Sequence, residues 1–198
     1  MYLANEARII RESSHGYDLI PIQDEMLSHR EVELVGEVDA ASVNALIRQL
    51  RYLQYEDPEA LVTLYINSPG GSVDSGMALY DVMQAVSCPI RTVCVGLAAS
   101  MAALLFVSGT QRDMLPHSRL MIHDPLIAQT GGSALKLKAI SDDLMETRQI
   151  IARVIAGHSG KSMEEILAKT ASDSYFRAQE AMEFGLADHI ITSLGKNN

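Results

Sequence analysis

Ser100 is the one hydroxyl in the run Gly96-Leu-Ala-Ala-Ser-Met-Ala-Ala-Leu-Leu-Phe106. It stands where a buried strand, Val93-Cys94-Val95, hands over to an apolar helix beginning at Met101. A hydroxyl there sits near a helix N-terminus, where unpaired backbone N–H groups and the helix dipole favour negative charge. Small neighbours (Gly96, Ala98, Ala99, Ala102) leave room for a substrate backbone. A nucleophilic serine needs that combination. A second chemical group follows: His123 closes the apolar stretch Leu120-Met-Ile122, between the turn markers Pro116 and Pro125. An imidazole at a strand end can serve as a general base. Its orienting carboxylate cannot be chosen from spacing, and Asp113, Asp124, Asp142, Asp143, Asp173 and Asp188 all qualify.

Each of these residues has a plainer reading. A serine before an apolar run is most often only a helix N-cap. A histidine at a strand end is more often structural than catalytic. His123-Asp124 as a metal pair is rejected, because no further ligand falls at a metal-site spacing. His15, His29, His117, His158 and His189 lie in polar or turn-like contexts and read as surface. Asn67-Ser-Pro-Gly-Gly-Ser-Val73 has the composition of a tight turn. It also suits a second role, in which Gly71 offers its N–H to an oxyanion and Ser72-Val73 continues as an edge for a peptide to pair with. Gly157-His-Ser-Gly-Lys-Ser162 resembles a phosphate loop, but Ile155 occupies the place of the first glycine and the stretch follows a helix, so it reads as a helix–turn–helix link.

The elements that must carry these groups follow from periodicity. Residues 31–35 alternate as a strand. Val43, Leu46, Ile47, Leu50 and Leu53 mark a one-faced helix over 40–54. Strands over 61–66 and 90–95 flank a helix over 75–86, and residues 114–122 add further strand material. That alternation implies parallel βαβ units with right-handed crossovers. Residues 133–156 carry Leu137, Ile140, Leu144, Ile151, Val154 and Ile155 without a breaker. A helix of that length, about 36 Å at roughly 1.5 Å per residue, is as long as a domain of this size is wide. Two outcomes are open: it projects and buries its apolar side on another subunit, or it wraps its own core. Ser162-Met-Glu-Glu165 is a capping box for a last helix over 163–169. Residues 1–30 read as polar and irregular, with a mobile tip at Ser13-Ser14-His15-Gly16.

Composition narrows the function. The 198 residues suit one domain with a sizeable core. That core is aliphatic and Met-padded, at 47% hydrophobic and 5% aromatic residues with ten Met and no Trp. A net charge of −9 argues against nucleic acid. Two cysteines, Cys88 and Cys94, make no disulfide framework. The N-terminal segment is charged and lacks a signal-peptide core. The uncharged stretch 92–110 is too broken by Gly, Ser and Ala for a membrane span. A soluble cytoplasmic protein without nucleic-acid or membrane partners is expected.

Taken together, Ile66-Asn-Ser-Pro-Gly-Gly-Ser-Val73, the Ser100 run and Leu115-Pro-His-Ser-Arg-Leu-Met-Ile-His-Asp-Pro125 resemble the proteolytic subunits of the Clp protease family, in their order and near their spacing. Glu37-Val-Asp39 and Phe184-Gly-Leu-Ala-Asp188 extend the resemblance over nearly the whole chain. It implies an α/β, crotonase-like fold of repeated βαβ units, one domain over 1–198 with an axial segment at 1–30 and a projecting handle helix at 133–156. It implies a serine endopeptidase with no cofactor and no metal. Ser100 and His123 would be catalytic, and Thr170-Ala-Ser-Asp-Ser-Tyr-Phe176 matches the segment that places Asp173 third. Backbone N–H groups of Gly71 and Met101 would form the oxyanion hole. Gly71, Ser72, Val73, Pro125 and Leu126 would line the substrate. Implied partners are copies of the chain in heptameric rings stacked as a tetradecamer, an AAA+ unfoldase of the Clp/Hsp100 type that drives ATP-dependent proteolysis, and a paralogous peptidase subunit. The chain departs from the family pattern in four places. The Ser100-to-His123 spacing is slightly short, Asp124 replaces a Gln, Leu126-Ile127-Ala128 replaces Leu-Gly-Gly, and Ala171-Ser172 replaces an acidic residue and an Arg that couple rings to triad. A non-catalytic ring subunit and a crotonase-type acyl-CoA enzyme are the alternative readings.

Overall fold

The computed structural model describes residues 7–14, 16–127 and 129–194. The chain opens with an antiparallel hairpin, β1 (Arg8–Ser13) and β2 (Gly16–Pro21), followed by helix α1 (Ile22–Ser28). This corrects the expectation of an irregular segment over residues 1–30. Ile9 pairs with Ile20 and Ile10 with Leu19. Both faces of the hairpin are largely exposed, so its apolar residues are mixed with Arg11, Glu12 and Asp18 and no clean alternation marks it. His15, in the expected mobile tip, lies outside the described residues.

The main sheet is built from β3 (Glu31–Val38), β4 (Val62–Gly71), β5 (Ile90–Ala99), β6 (Gln111–Met114), β7 (Arg119–Ile122), β8 (Ser174–Arg177) and β9 (His189–Ile190). Strand order along the main path is β3-β4-β5-β6-β9, all parallel. The sheet forks at β5. Residues Arg91 to Cys94 pair with β6, whereas Leu97 to Ala99 pair with β7, which in turn pairs antiparallel with β8. Gly96, with φ of +97°, stands at the fork. A Cβ there would come within 2.9 Å of the Asn67 amide oxygen, so a side chain would disturb both φ and the neighbouring strand.

Helix α3 (Val73–Ala85) packs against both α2 (Ala40–Glu56) and α4 (Met101–Val107), while α2 lies on β3 and α4 on β4 and β5. Helix α2 starts on a capping box formed by Asp39 and Ser42 and buries Val43, Leu46, Leu50 and Leu53. That is the predicted stripe except for Ile47, which is partly buried. Helix α4 is buried on every side, so the uncharged stretch 92–110 is a strand–helix unit inside the core. Among the described residues no helix is long and apolar enough to cross a membrane. Both cysteines are free and buried.

Helix α5 runs Ala134–Ser159, 26 residues, capped by Ser133 and stopped by Gly160 in the left-handed conformation. It continues three residues past the predicted end at 156. Gly157 does not stop it, since a lone glycine costs a helix only about 1 kcal/mol. Its C-terminal half packs on the chain's own core and its N-terminal half is exposed. Ala152 and Ile155 are buried against the domain, while Leu135 is 82% and Met145 54% exposed. Helix α6 (Met163–Thr170) begins on the predicted Ser162–Glu165 capping box. Helix α7 (Ala178–Phe184) follows β8 and ends at Gly185. His158 is not a surface residue: it is half-buried, with its ring edge-on to Tyr80 at 6.1 Å between centroids. Burial, and then the Arg112 guanidinium, hold its pKa below the ordinary 6.5.

Candidate active site

Ser100 joins β5 to α4 with φ 55° and ψ −124°, a conformation that non-glycine residues rarely adopt. Three backbone bonds fix it there. Its N–H donates to the Met121 carbonyl at 2.8 Å, and its carbonyl accepts from Ala103 and Leu104 at 3.0 and 3.3 Å. It occupies the N-cap position of α4, yet its side chain makes no capping bond. The hydroxyl is instead 2.8 Å from His123 Nε2. The plain reading of Ser100 as a helix cap therefore does not describe what its Oγ touches.

His123 follows directly on β7. Its position comes from two pairings: β7 lies parallel to the end of β5, with Ala99 opposite Met121, and antiparallel to β8, with Ile122 opposite Ser174. The second pairing sets residue 173 beside residue 123. The Asp173 carboxylate lies 3.9 Å from His123 Nδ1 and its side chain is 63% exposed. That separation is an ion-pair distance, longer than a hydrogen bond. Four of the other candidate carboxylates are engaged elsewhere. Asp113 is fully buried against Arg91 and His189, Asp188 binds Arg112, and Asp142 binds Lys138 on α5. Asp124 turns away from the imidazole to meet Arg148 at 2.6 Å. Asp143 lies exposed on α5, and among the described residues the carboxylate paired with His123 is that of Asp173.

Ser100 and His123 border a small cleft lined by Val73, Met101, Leu104, Ile122, Pro125 and Ile155. Of the residues expected around substrate, Val73, Met101 and Pro125 are in this lining, whereas Gly71, Ser72 and Leu126 are not. The Gly70-Gly71 pair ends β4, with Gly70 directly behind Ser100. A Cβ on Gly70 would meet Ser100 Cβ at 2.7 Å, and one on Gly71 would meet the Val38 carbonyl at 2.3 Å. Both positions also have positive φ, so glycine is required twice over. Ser72-Val73 is not the extended edge predicted for it. Ser72 donates its N–H to Val38 and caps α3 by accepting from Ser75, and Val73 is the first residue of that helix. The short polar side chain before a helical run wins over strand continuation. Leu126 and Ile127 are 67% and 45% exposed. Ala128, the third residue of the altered stretch, lies outside the described residues.

Three contributing residues were not singled out as site residues in the sequence. Ile151 and Ile155 of α5 close one side of the cleft, although their spacing marked them only as helix-face residues. Arg148 holds Asp124, and an arginine in a long helix carries no sequence signal that distinguishes it from a solvated charge.

Comparison with known proteins agrees with this arrangement at the level of family. A family model described as Clp protease matches residues 14–194. A protein of Nocardia farcinica named ATP-dependent Clp protease proteolytic subunit 2 is 41% identical over 197 residues, covering 98% of this chain and 97% of that protein. A Cutibacterium acnes protein of the same name is 42% identical over 174 residues, covering 87% and 82%.

Proposed function

The chain belongs to the Clp protease family, and from that membership we propose that this protease subunit is a serine endopeptidase using Ser100, His123 and Asp173. Its α/β fold is crotonase-like, and membership implies a peptidase hydrolase. In the proposed reaction His123 Nε2 takes the proton as Ser100 Oγ attacks the scissile carbonyl carbon. Asp173 steadies the Nδ1–H of the resulting imidazolium. The carbonyl oxygen becomes an oxyanion held by the N–H groups of Gly71 and Met101. Strand alternation favours the Gly71 assignment: Ser72 donates towards β3, so the preceding N–H faces the other way. Collapse expels the amine with the proton from His123. Water, deprotonated by His123, then releases the acid and restores Ser100.

The single observation that carries this reading is the 2.8 Å contact between Ser100 Oγ and His123 Nε2, made by a serine whose side chain caps nothing. Fluorophosphonate labelling, mapped by mass spectrometry, tests it. Ser100 should be the labelled residue, and labelling elsewhere would remove the assignment. A crotonase-type acyl-CoA reaction does not need this Ser–His contact.

Substrates are proposed to be unfolded protein chains delivered into a ring-shaped chamber by an ATP-driven unfoldase of the Clp/Hsp100 type. The names of the two relatives, ATP-dependent and proteolytic, support that reading. A cytoplasmic location goes with it. Substrate contacts are assigned to Gly71, Ser72, Val73, Pro125 and Leu126. The exposed apolar residues Leu135, Leu137, Met145 and Ile150 of α5 support ring-to-ring association through this helix, as a stacked pair of heptamers. A partner-dependent form of the same function has its own support. The His123–Asp173 separation is beyond hydrogen-bond reach, and Ala171-Ser172 offers no charge beside it. Mixed assembly with a paralogous subunit would then complete the site. Peptidase assays on the chain alone and mixed with that subunit distinguish the two, full activity alone removing the partner.

A further inference from the structure

We propose that Arg148 is a positioning residue for the His123–Asp173 pair, acting from helix α5 through Asp124 and the last turn of α6; the proposal rests on the triad reading above. The last β7–β8 pair is Ile122 with Ser174. His123 and Asp173 therefore meet just beyond the end of the ladder, where those two strands no longer hold them. Another set of bonds takes over at that point. The Asp124 N–H donates to the Thr170 carbonyl at 2.7 Å. Arg148 donates from Nε to Asp124 Oδ2 at 2.6 Å and from Nη2 to the Leu167 carbonyl at 3.1 Å. One planar guanidinium thus grips the residue after His123 and the helix that leads into Asp173.

A planar fork of donors suits this task, because its two bonds leave in fixed directions. Dependence on Arg148 is also electrostatic. Asp124 Oδ1 is buried and, among the described residues, has no hydrogen-bond partner. Among the described residues Arg148 is the cation paired with that carboxylate. Arg148 further occupies the place where α5 changes character. Residues 134–139 are exposed, whereas Ala152 and Ile155 are buried in the domain. A shift of α5 moves the fork, and the fork moves both triad partners. With His123 and Asp173 3.9 Å apart, a movement of about an ångström decides whether they form a hydrogen bond.

Three variants test this in the full-length chain, with Ser100→Ala as the control for the triad itself. The readouts are kcat and KM on a short fluorogenic peptide, the rate of fluorophosphonate labelling, and sedimentation velocity. Arg148→Met should lower kcat and the labelling rate together by about tenfold to a hundredfold, the scale of a small misplacement of reacting groups. KM should stay within about twofold. Arg148→Lys, which keeps the charge and loses the fork, should fall between. Asp124→Leu combined with Arg148→Met leaves no unpaired charge, so it should fold even where Arg148→Met alone does not, and its kcat should remain low. Wild-type kcat in Arg148→Met overturns the proposal. So does recovery of wild-type kcat in the double variant, which would reduce the effect to an orphaned carboxylate. A loss of kcat that only follows loss of the wild-type sedimenting species overturns it as well. Activity retained in Ser100→Ala would instead overturn the triad reading.

Discussion

Of the helices that border the cleft, α4 and α5 are held in opposite ways. All seven residues of α4 are buried, whereas α5 buries two of its 26. Ser100 grows out of the first, tied by three backbone bonds between β5, β7 and α4. His123 and Asp173 stand at the boundary of the second, linked to it by one arginine. Folding of a single chain is therefore enough to place Ser100. In the proposed triad, His123 and Asp173 sit just past the end of the β7–β8 ladder, beside an element whose first turns, residues 134–139, are exposed. Stability and activity should then respond to different substitutions.

The contrast can be broken most severely at its chemical end. Ser100→Ala should reduce turnover of fluorogenic peptides by about 10⁴-fold or more. Its unfolding free energy should change by no more than about 1 kcal/mol in a urea titration, since no cavity is made. Substantial hydrolysis by this variant, or a large loss of stability, would show that Ser100 does not divide the two properties. Packing is the next lever. Phe106→Ala in α4 should cost about 3–5 kcal/mol. Leu135→Ala, at an 82% exposed site, should alter the stability of the unassembled chain by about 0.5 kcal/mol or less. Similar costs at the two sites would erase the comparison. Ile140→Asp should shift the sedimentation profile towards smaller species while leaving the circular dichroism spectrum intact; an unchanged double ring would mean that this stretch of α5 takes no part in pairing.

The smallest expected effect lies where the C-terminal end of α5 docks. His158 has a folded pKa below its ordinary 6.5, mainly because it is buried and then because Arg112 is near. Above that value neither state carries the proton and the residue contributes nothing to pH dependence. As pH falls below 6.5 the unfolded chain protonates first, so stability falls. Asp188 works in the same direction at lower pH. Burial raises its pKa, but the hydrogen bond and charge of Arg112 outweigh that and lower it below the ordinary 3.8. Its contribution is complete above 3.8 and is lost as pH falls further. His158→Phe should flatten the stability profile just below 6.5 and leave the Asp188 region unchanged. An unaltered slope near 6.5 would contradict the assigned burial.

Legibility in the sequence followed burial. Helix α2 and the β4–α3–β5 unit were readable because core-facing residues recur at helix or strand period, as with Val43, Leu46, Leu50 and Leu53. The neighbourhood of Ser100 was readable because small residues crowd one hydroxyl. Strand β8 was not, since of its four residues only Phe176 is buried, and a single apolar position has no period. Its absence from the sequence reading is also why spacing left six aspartates open. What brings residue 173 beside residue 123 is the β7–β8 pairing, a long-range register that local composition does not encode. The Asp124–Arg148 link was hidden for the same reason, as it joins groups 24 residues apart. The family resemblance selected Asp173 among the six, and the geometry then showed which partners engage most of the others.

The two buried thiols make this chain a quiet background for site-directed reporters. Cys94 donates to the Arg119 carbonyl beside the sheet fork, and burial pushes its pKa up to about 11, so little thiolate exists at neutral pH. Cys88 is equally enclosed. A maleimide dye or spin label should therefore react with a cysteine introduced on the exposed half of α5 and leave the native pair untouched, without any need to remove them first. Motion of that helix against the cleft then becomes directly observable in otherwise unaltered protein.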